Sequence, residues 1–395
     1  MKRVAITGAG TINPLAQDVA GTYAALTEGR SAIGPLAFRD VDRLTVQIGA
    51  QIKGWQPEAR FSRADLAMMD PFSLYAVASA AQAVQQSGLA FDGELAETTG
   101  VIIGSAGGGL QTTDDNYRAV YQAGKLRVHP FVVPRLMLNA AAAQVAIAHG
   151  LQGPVFAVSS ACSSSNHAIG QAFHLIRAGG ARVMLAGGSD AMLCFGGLKA
   201  WEGLRVLSPT GCRPFSADRD GMVMGEGAAV FVLEEWDHAR ARGADILAEV
   251  AGFAMTSDAG DMVQPSARGA AQAMRGALRD AGMDSVGYIN AHGTGTTAND
   301  RCEAQAIAQV FPNPPPVSST KSAHGHLMGA AGAVELLACL LALQGVIAPT
   351  LGFQPGDCRL DVVPDQARQA RVTATISNSF AFGGLNAVLA LRATA

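Results

Sequence analysis

The chain has 395 residues, 49% of them hydrophobic and only 15% charged, with 46 glycines and a formal net charge of -3. That length exceeds one ordinary core, so two domains or two fused halves are expected. The sparse charge and abundant apolar residues exclude a disordered chain. No run of like charges offers the clustered Lys and Arg that phosphate binding needs, which argues against nucleic acid as a main partner.

The chain enters directly on a strand-like apolar run ending at Gly8, without the features of a signal peptide, so a cytoplasmic protein is expected. Gly8-Ala9-Gly10 resembles the start of a dinucleotide fingerprint, but Asn13 stands at the third glycine, and a tight turn is the better reading. A helix is predicted over 72–87, stopped by Gly88, then a strand over 101–103 entering a glycine loop that includes Gly107. The second half repeats this: a helix over 267–281 stopped by Gly282, then a strand-like run over 288–291 entering His292-Gly293-Thr294-Gly295-Thr296.

A further pair of segments matches as well. Residues 155–158 enter a serine-rich turn and an Ala-rich helix near Cys162, and 317–319 enter a turn and a Gly/Ala-rich helix near His326. The repeated order implies an internal duplication joined near Ala248, with halves 1–247 and 248–395. The apolar stretch from Leu336 to Asp357 is broken by Gln344, Gly345 and Pro349, so it reads as a buried helix and a turn, and no membrane association is expected.

Six cysteines lie far apart with no C-x-x-C pair, the pattern of free thiols. Cys162 differs, because it sits in Ser159-Ser160-Ala161-Cys162-Ser163-Ser164 at or near a helix N-terminus. Free N–H groups and the dipole there favour a thiolate, and a drop of its pKa from about 8.5 to about 7 would ionise half of it. The competing reading is a small buried residue in a serine-rich cap. His324 and His326 form an H-x-H pair with no third ligand nearby, so no metal site is expected. One activated thiol with two loop histidines, His292 and His326, suits a thioester-processing centre.

At this point the chain resembles, over essentially its whole length, a β-ketoacyl-acyl carrier protein synthase of the elongating (type II, Cys-His-His) class in the thiolase-like superfamily. The resemblance rests on Ser160-Ala161-Cys162-Ser163-Ser164, on Asn290-Ala291-His292-Gly293-Thr294-Gly295-Thr296, on Lys321-Ser322 with Gly325-His326, on Gly329-Ala330-Ala331-Gly332-Ala333-Val334-Glu335 and on Asn378-Ser379-Phe380-Ala381-Phe382-Gly383-Gly384. Arg213-Pro214-Phe215 and Gly225-Glu226-Gly227-Ala228 match too. The resemblance implies a duplicated α/β fold of five layers (αβαβα), usually a homodimer, with a heterodimer as the alternative. It implies that Cys162 takes an acyl group from an acyl carrier protein while His292 and His326 support decarboxylation of a malonyl thioester. Lys321 would organise the charge near His326, paired with Glu335. Backbone N–H groups of Cys162 and Phe382 would form an oxyanion hole, with Phe382 also a gate. Thr294 and Thr296 would bind the pantetheine arm, and Gly107 and Phe380 would border the acyl pocket. Lys125, Arg127 and Arg205 would dock the carrier protein. No cofactor is implied beyond the phosphopantetheine that arrives on the carrier protein.

Relatives narrow the chemistry. The terminal glycine loop lacks the second cysteine of a degradative thiolase, and His326 stands where a chain-initiating synthase would have Asn. A non-elongating chain-length partner would normally have lost the cysteine; that reading and a thioester hydrolase remain as rivals. Four departures from the family pattern stand out. Ala381 and Leu385 replace a Gly and a Thr, which predicts a stiffer gate. Gly107 stands where a bulky aliphatic residue is common, which would lengthen or reshape the acyl pocket. Residues 62–70 lack the basic docking residues, which would slow encounter with an acidic carrier protein. Val263-Gln264 replaces a hydroxyl pair at the tunnel mouth. These departures resemble the ketosynthases that make unusual acyl chains, including nodulation-type and very-long-chain synthases.

Overall fold

A computed structural model describes residues 1–394. Ten strands form its central sheet: β1 (Val4–Ile12), β2 (Gly100–Gly104), β3 (Val155–Val158), β4 (Val183–Asp190), β5 (Gly227–Glu235), β6 (Ala248–Ser257), β7 (Tyr288–Asn290), β8 (Val317–Ser318), β9 (Ala374–Ala381) and β10 (Leu385–Arg392). Their spatial order is β8-β7-β9-β10-β6-β1-β5-β4-β2-β3. From the centre outwards, one side runs β1, β5, β4, β2, β3 and the other β6, β10, β9, β7, β8. On each side the first two pairings are antiparallel and the last two parallel. The two sides meet where β1 and β6 pair antiparallel, at Val4↔Val250, Ala5↔Glu249 and Ile6↔Ala248.

β1 and β4 are buried at every position, as expected of strands covered on both faces by helices. The helices are α1 (Pro71–Ser87), α2 (Ala140–His149), α3 (Ser164–Arg177), α4 (Ala267–Ala281), α5 (Thr297–Val310) and α6 (Ala331–Leu343). α1 and α2 cover one outer face, α4 and α5 the other, and α3 and α6 pack against each other in the middle. The layers are helix, sheet, helix, sheet, helix. α6 is apolar all round because it has no solvent face: every residue from Ala331 to Ala342 is buried.

The glycine stops read from the sequence end two helices as expected. Asp70 accepts the Phe72 N–H at the start of α1, and Gly88 and Gly282 close α1 and α4 in left-handed conformations (φ 67° and 62°). The expected helix at His326 is different. A four-residue helix, Lys321–His324, stops at Gly325 (φ 69°, ψ -175°), and α6 begins only at Ala331 after a 3-10 turn. His326 therefore sits on a bent link between two helices. The sequence pattern missed this because glycine-permitted bends leave no periodicity to read.

No helix among the described residues is long and apolar enough to cross a membrane. The centre is held by close backbone approach. A Cβ on Gly104, at the end of β2, would lie 2.4–2.5 Å from backbone atoms of Ser164 and Ser165, at the start of α3. Backbone cannot step aside cheaply, so Gly104→Ala is expected to cost about 2 kcal/mol or more in chemical denaturation. Gly203→Ala, with nothing within 4 Å of the added carbon, should leave stability unchanged or slightly raised.

Candidate active site

Cys162 lies between β3 and α3, two residues before the helix starts. Ala161, just before it, has φ 51°, a left-handed conformation that a non-glycine residue adopts only when its surroundings hold it there. Serines provide that hold. Ser164 Oγ accepts from the Ser160 N–H (2.9 Å) and donates to the Ala161 carbonyl (2.6 Å). Ser163 Oγ lies within hydrogen-bond reach of the Ser379 carbonyl (2.9 Å) and the Leu385 carbonyl (2.8 Å), which ties the cysteine turn to the β9–β10 hairpin. The serines do not cap α3, since no side chain accepts from its first turn; they fix the turn that carries Cys162.

Cys162 Sγ and ring nitrogens of His292 and His326 all lie within 4.8 Å of one another, although the three residues come from separate loops. The two imidazoles meet edge to face at 5.3 Å between centroids, and His292 is 6.3 Å from the Phe380 ring. Their hydrogen bonds decide the tautomers. The Met328 N–H donates to His326 Nδ1 (3.1 Å), so in the neutral ring the proton is on Nε2. His326 Nε2 is buried without a protein partner. Lys321 Nζ lies 3.3 Å from His292 Nδ1 and donates to the His292 carbonyl (2.6 Å), which puts the second ring proton on Nε2 as well. The arrangement thus offers two N–H donors beside a thiol. Three such residues match the donor types of a zinc site, but a ring whose Nδ1 accepts and whose Nε2 carries the proton has no lone pair left for a metal.

Lys321 is fully buried and ion-paired with Glu335, also fully buried. Burial pushes the Glu335 carboxyl upward, against the pull of the ammonium. Burial first, then the Lys321 charge, holds His292 and His326 well below the ordinary imidazole value, so both rings are neutral. The thiol departs from the sequence expectation. Burial pushes Cys162 up to about 12, opposed by the Lys321 charge. A helix start favours the anion, but loss of water costs more in this closed turn, and the resting sulfur is a thiol.

A cavity of about 260 Å³ is lined by Cys162, His292, His326, Thr294, Thr296, Phe380 and Phe382. Thr294 and Thr296 hydroxyls lie 2.9 Å apart. Gly107 lies outside this lining: its N–H donates to Asp190 (3.0 Å), and a Cβ there would meet the Met192 side chain at 2.9 Å. Met192 occupies the space that the missing side chain was expected to leave. Arg205 is exposed between Leu204 and Val206, both on the cavity wall, whereas Lys125 and Arg127 lie on an exposed loop away from that lining. His324 is turned away from the site, its ring bonded to Thr320 and to the Gly325 carbonyl.

Three buried acids went unnoticed in the sequence. Glu303 accepts the N–H groups of His292 (2.9 Å) and Gly293 (2.8 Å) and the Asn378 amide (3.0 Å). Asp300 accepts those of Phe215, Thr294 and Gly295. Both project from the first two turns of α5 and shape the histidine loop. Burial raises Asp300 to about 6 and Glu303 to about 7. Asp190, raised to about 6 by burial, gathers Ser105, Ala106, Gly107 and Gly329, joining the loop after β2 to the turn that carries His326. The available signal was two acids three residues apart just past the His292 loop.

Lys321→Ala alone is expected to cost about 3–5 kcal/mol in chemical denaturation, because it strands Glu335. Lys321→Met with Glu335→Leu should recover most of that stability. In this pair variant the His292 pKa, followed by NMR titration, should move upward toward the ordinary ~6.5, since the lowering charge is gone. With Cys162 raised, its alkylation rate should climb about tenfold per pH unit between about pH 7 and 9, without the plateau of an ordinary thiol near ~8.5.

Comparison with known proteins agrees with this geometry. Residues 1–239 match the beta-ketoacyl synthase N-terminal domain and residues 247–354 the beta-ketoacyl synthase C-terminal domain. The chain is 49% identical over 399 residues to nodulation protein E of Rhizobium sp. (strain N33), covering 99% of each chain. It is 38% identical to 3-oxoacyl-[acyl-carrier-protein] synthase 2 of Coxiella burnetii, covering 99% of this chain and 98% of the other. Among solved structures, the ishigamide ketosynthase/chain length factor superposes with a TM-score of 0.96 at 34% identity, covering 100% of both chains. With its five layers, its cysteine between two neutral histidines, and matches that run through both halves, the chain belongs to the beta-ketoacyl synthase family and has its thiolase-like fold.

Proposed function

We propose that this protein lengthens an acyl chain by decarboxylating Claisen condensation of a Cys162-bound acyl group with malonyl-acyl carrier protein, giving β-ketoacyl-acyl carrier protein. The observation that carries this reading is the Cys162 thiol set beside two Nε2–H donors in a closed cavity. In the first half-reaction the Cys162 sulfur attacks an acyl thioester. The new C–S bond forms as the pantetheine C–S bond breaks, and the cysteine proton ends on the departing pantetheine thiol.

In the second half-reaction His292 and His326 donate to the malonyl thioester oxygen. Loss of CO2 leaves the electron pair as an enolate on that carbonyl, where the two N–H groups stabilise it. Its carbon attacks the acyl carbonyl on Cys162; the C–C bond forms, the C–S bond breaks, and the departing thiolate takes a proton from water. Neutral rings suit this work, because a second positive charge beside Lys321 would be costly. The N–H groups of Cys162 and Phe382 serve the tetrahedral oxyanion. Thr294 and Thr296 hold the pantetheine arm, and the phosphopantetheine comes with the substrate, so no resident cofactor is required.

The carrier protein would meet the exposed Arg205 at the cavity wall, with Lys125 and Arg127 further out. We read the chain as two copies of one unit, 1–247 and 248–395, a reading supported by the matching strand order on the two sides of the sheet. Val155 and Phe156 on the edge strand β3, with Phe131, Met137 and Leu138, expose apolar surface that suits a second ketosynthase-type chain, identical or not. The likeness to nodulation protein E supports a specialised acyl product, and six free cysteines fit the cytoplasm.

Intact-protein mass spectrometry after incubation with acyl-carrier proteins should show one added acyl group, absent in Cys162→Ala. His292→Ala and His326→Ala should each lower CO2 release from malonyl-carrier protein about 100-fold or more, the scale for losing one oxyanion donor. A partner subunit that does not elongate would release no CO2 when assayed alone. A hydrolase would yield free acid and no new C–C bond.

A further inference from the structure

One histidine close to the nucleophile has no part in that chemistry. His167 lies in the first turn of α3, just past the turn that carries Cys162. Its Nδ1 is 2.8 Å from Ser160 Oγ and 3.1 Å from the Ser163 carbonyl. Burial lowers the His167 pKa, against the pull of the Ser163 carbonyl, so the ring is neutral. A carbonyl oxygen can only accept, which puts the one ring proton on Nδ1. A single N–H is thus shared between Ser160 Oγ and the Ser163 carbonyl, on either side of Ala161 and Cys162.

The ring is held from behind as well. Phe253 of β6 meets it edge to face, with centroids 6.1 Å apart and planes at 79°. Phe253 is buried, and it lies so close to α3 that a Cβ on Gly170 would sit 2.5 Å from its ring. His174, further along the same helix, packs on that ring too, at 5.7 Å. His167 is therefore wedged between a fixed aromatic ring and the cysteine turn. That turn is strained at Ala161 (φ 51°), and a residue in such a conformation keeps it only while its surroundings hold it there. Ser164 grips the Ser160 N–H and the Ala161 carbonyl. His167 grips two other atoms, the Ser160 hydroxyl and the Ser163 carbonyl, so the two clamps are independent.

We infer that His167 is a positioning residue for the nucleophile: by bridging Ser160 and Ser163 it keeps the turn between them closed and the Cys162 sulfur beside His292 and His326. It acts only through the turn. Its loss should slow acyl transfer to Cys162 and spare the decarboxylation that His292 and His326 support from other loops. The inference rests on the acyl-transfer reading above.

Loading of Cys162 is followed by intact mass, with whichever of acetyl- and hexadecanoyl-carrier protein loads wild type faster. CO2 release from malonyl-carrier protein is measured alongside, in wild type, His167→Phe, His167→Asn and Ser160→Ala. His167→Phe keeps a ring on Phe253 and removes the donor; loading should fall about tenfold, the scale of one hydrogen bond, with CO2 release unchanged. His167→Asn puts an amide N–H near the place of Nδ1 and should recover most of the loading rate. Ser160→Ala removes one acceptor and should slow loading about threefold. Combined with His167→Phe it should add nothing, as for two residues acting through one contact.

Unchanged loading in His167→Phe or in Ser160→Ala overturns the inference, and if His167→Phe does not fold, Ser160→Ala decides alone. A merely structural His167 would lower loading and CO2 release together, or leave His167→Asn as slow as His167→Phe; either result overturns it too. Absence of any adduct on wild-type Cys162 from either donor overturns the acyl-transfer reading, and this inference with it.

Discussion

A single ammonium group organises the centre of this protein. Lys321 is fully buried, and each polar contact it makes bears on the reaction site: the ion pair to Glu335, the His292 carbonyl and His292 Nδ1. A buried charge is tolerated only when paired and hydrogen-bonded, so the loops that supply those partners must sit where they do. Glu335 comes from the all-buried α6, His292 from the loop after β7, and Lys321 from the short helix after β8. The charge fixes the His292 tautomer, and burial first, then this charge, holds both imidazoles neutral. A contact poor in stability thus specifies the chemistry of the neighbouring ring.

The same site shows how a structure can hold a cysteine at a cavity wall without ionising it at rest. Cys162 is aimed by a strained Ala161 and a set of serine hydroxyls, yet burial keeps its proton on. The two Nε2–H groups that would favour the anion line the cavity beside the sulfur, and the Lys321 charge lies behind them. Acids complete the frame. Glu303, Asp300 and Asp190 together collect the N–H groups of the loops bearing His292 and of the turn after His326, groups that would otherwise be buried without partners. Two of the three lie within one stretch of α5, so a single helix positions the whole His292–Gly295 loop.

Much of this was legible in the chain. Glycine stops located the ends of α1 and α4, because such stops act through local backbone chemistry. The reactive residue types in the loops singled out Cys162, His292 and His326, and the structure brings the three together. Other features stayed hidden. The break at Gly325, the ring of Trp201 on Phe382 and the filling of the space beside Gly107 by Met192 each depend on residues distant in sequence. The expected thiolate failed for the same reason: a helix start is visible locally, whereas the loss of water around a sulfur depends on what closes over it.

The sequence by itself determined the layered α/β class, the repeated order of elements and the choice of Cys162, His292 and His326 as the candidate site, since periodicity, glycine stops and reactive residue types are properties of short segments. Only the tertiary structure decided which nitrogen of each imidazole carries the proton, that the cysteine rests as a thiol, and that Cys162, His292 and His326 meet around one cavity. Those depend on hydrogen-bond partners, buried charge and excluded water, and all three are set by chain segments that meet only when the molecule folds.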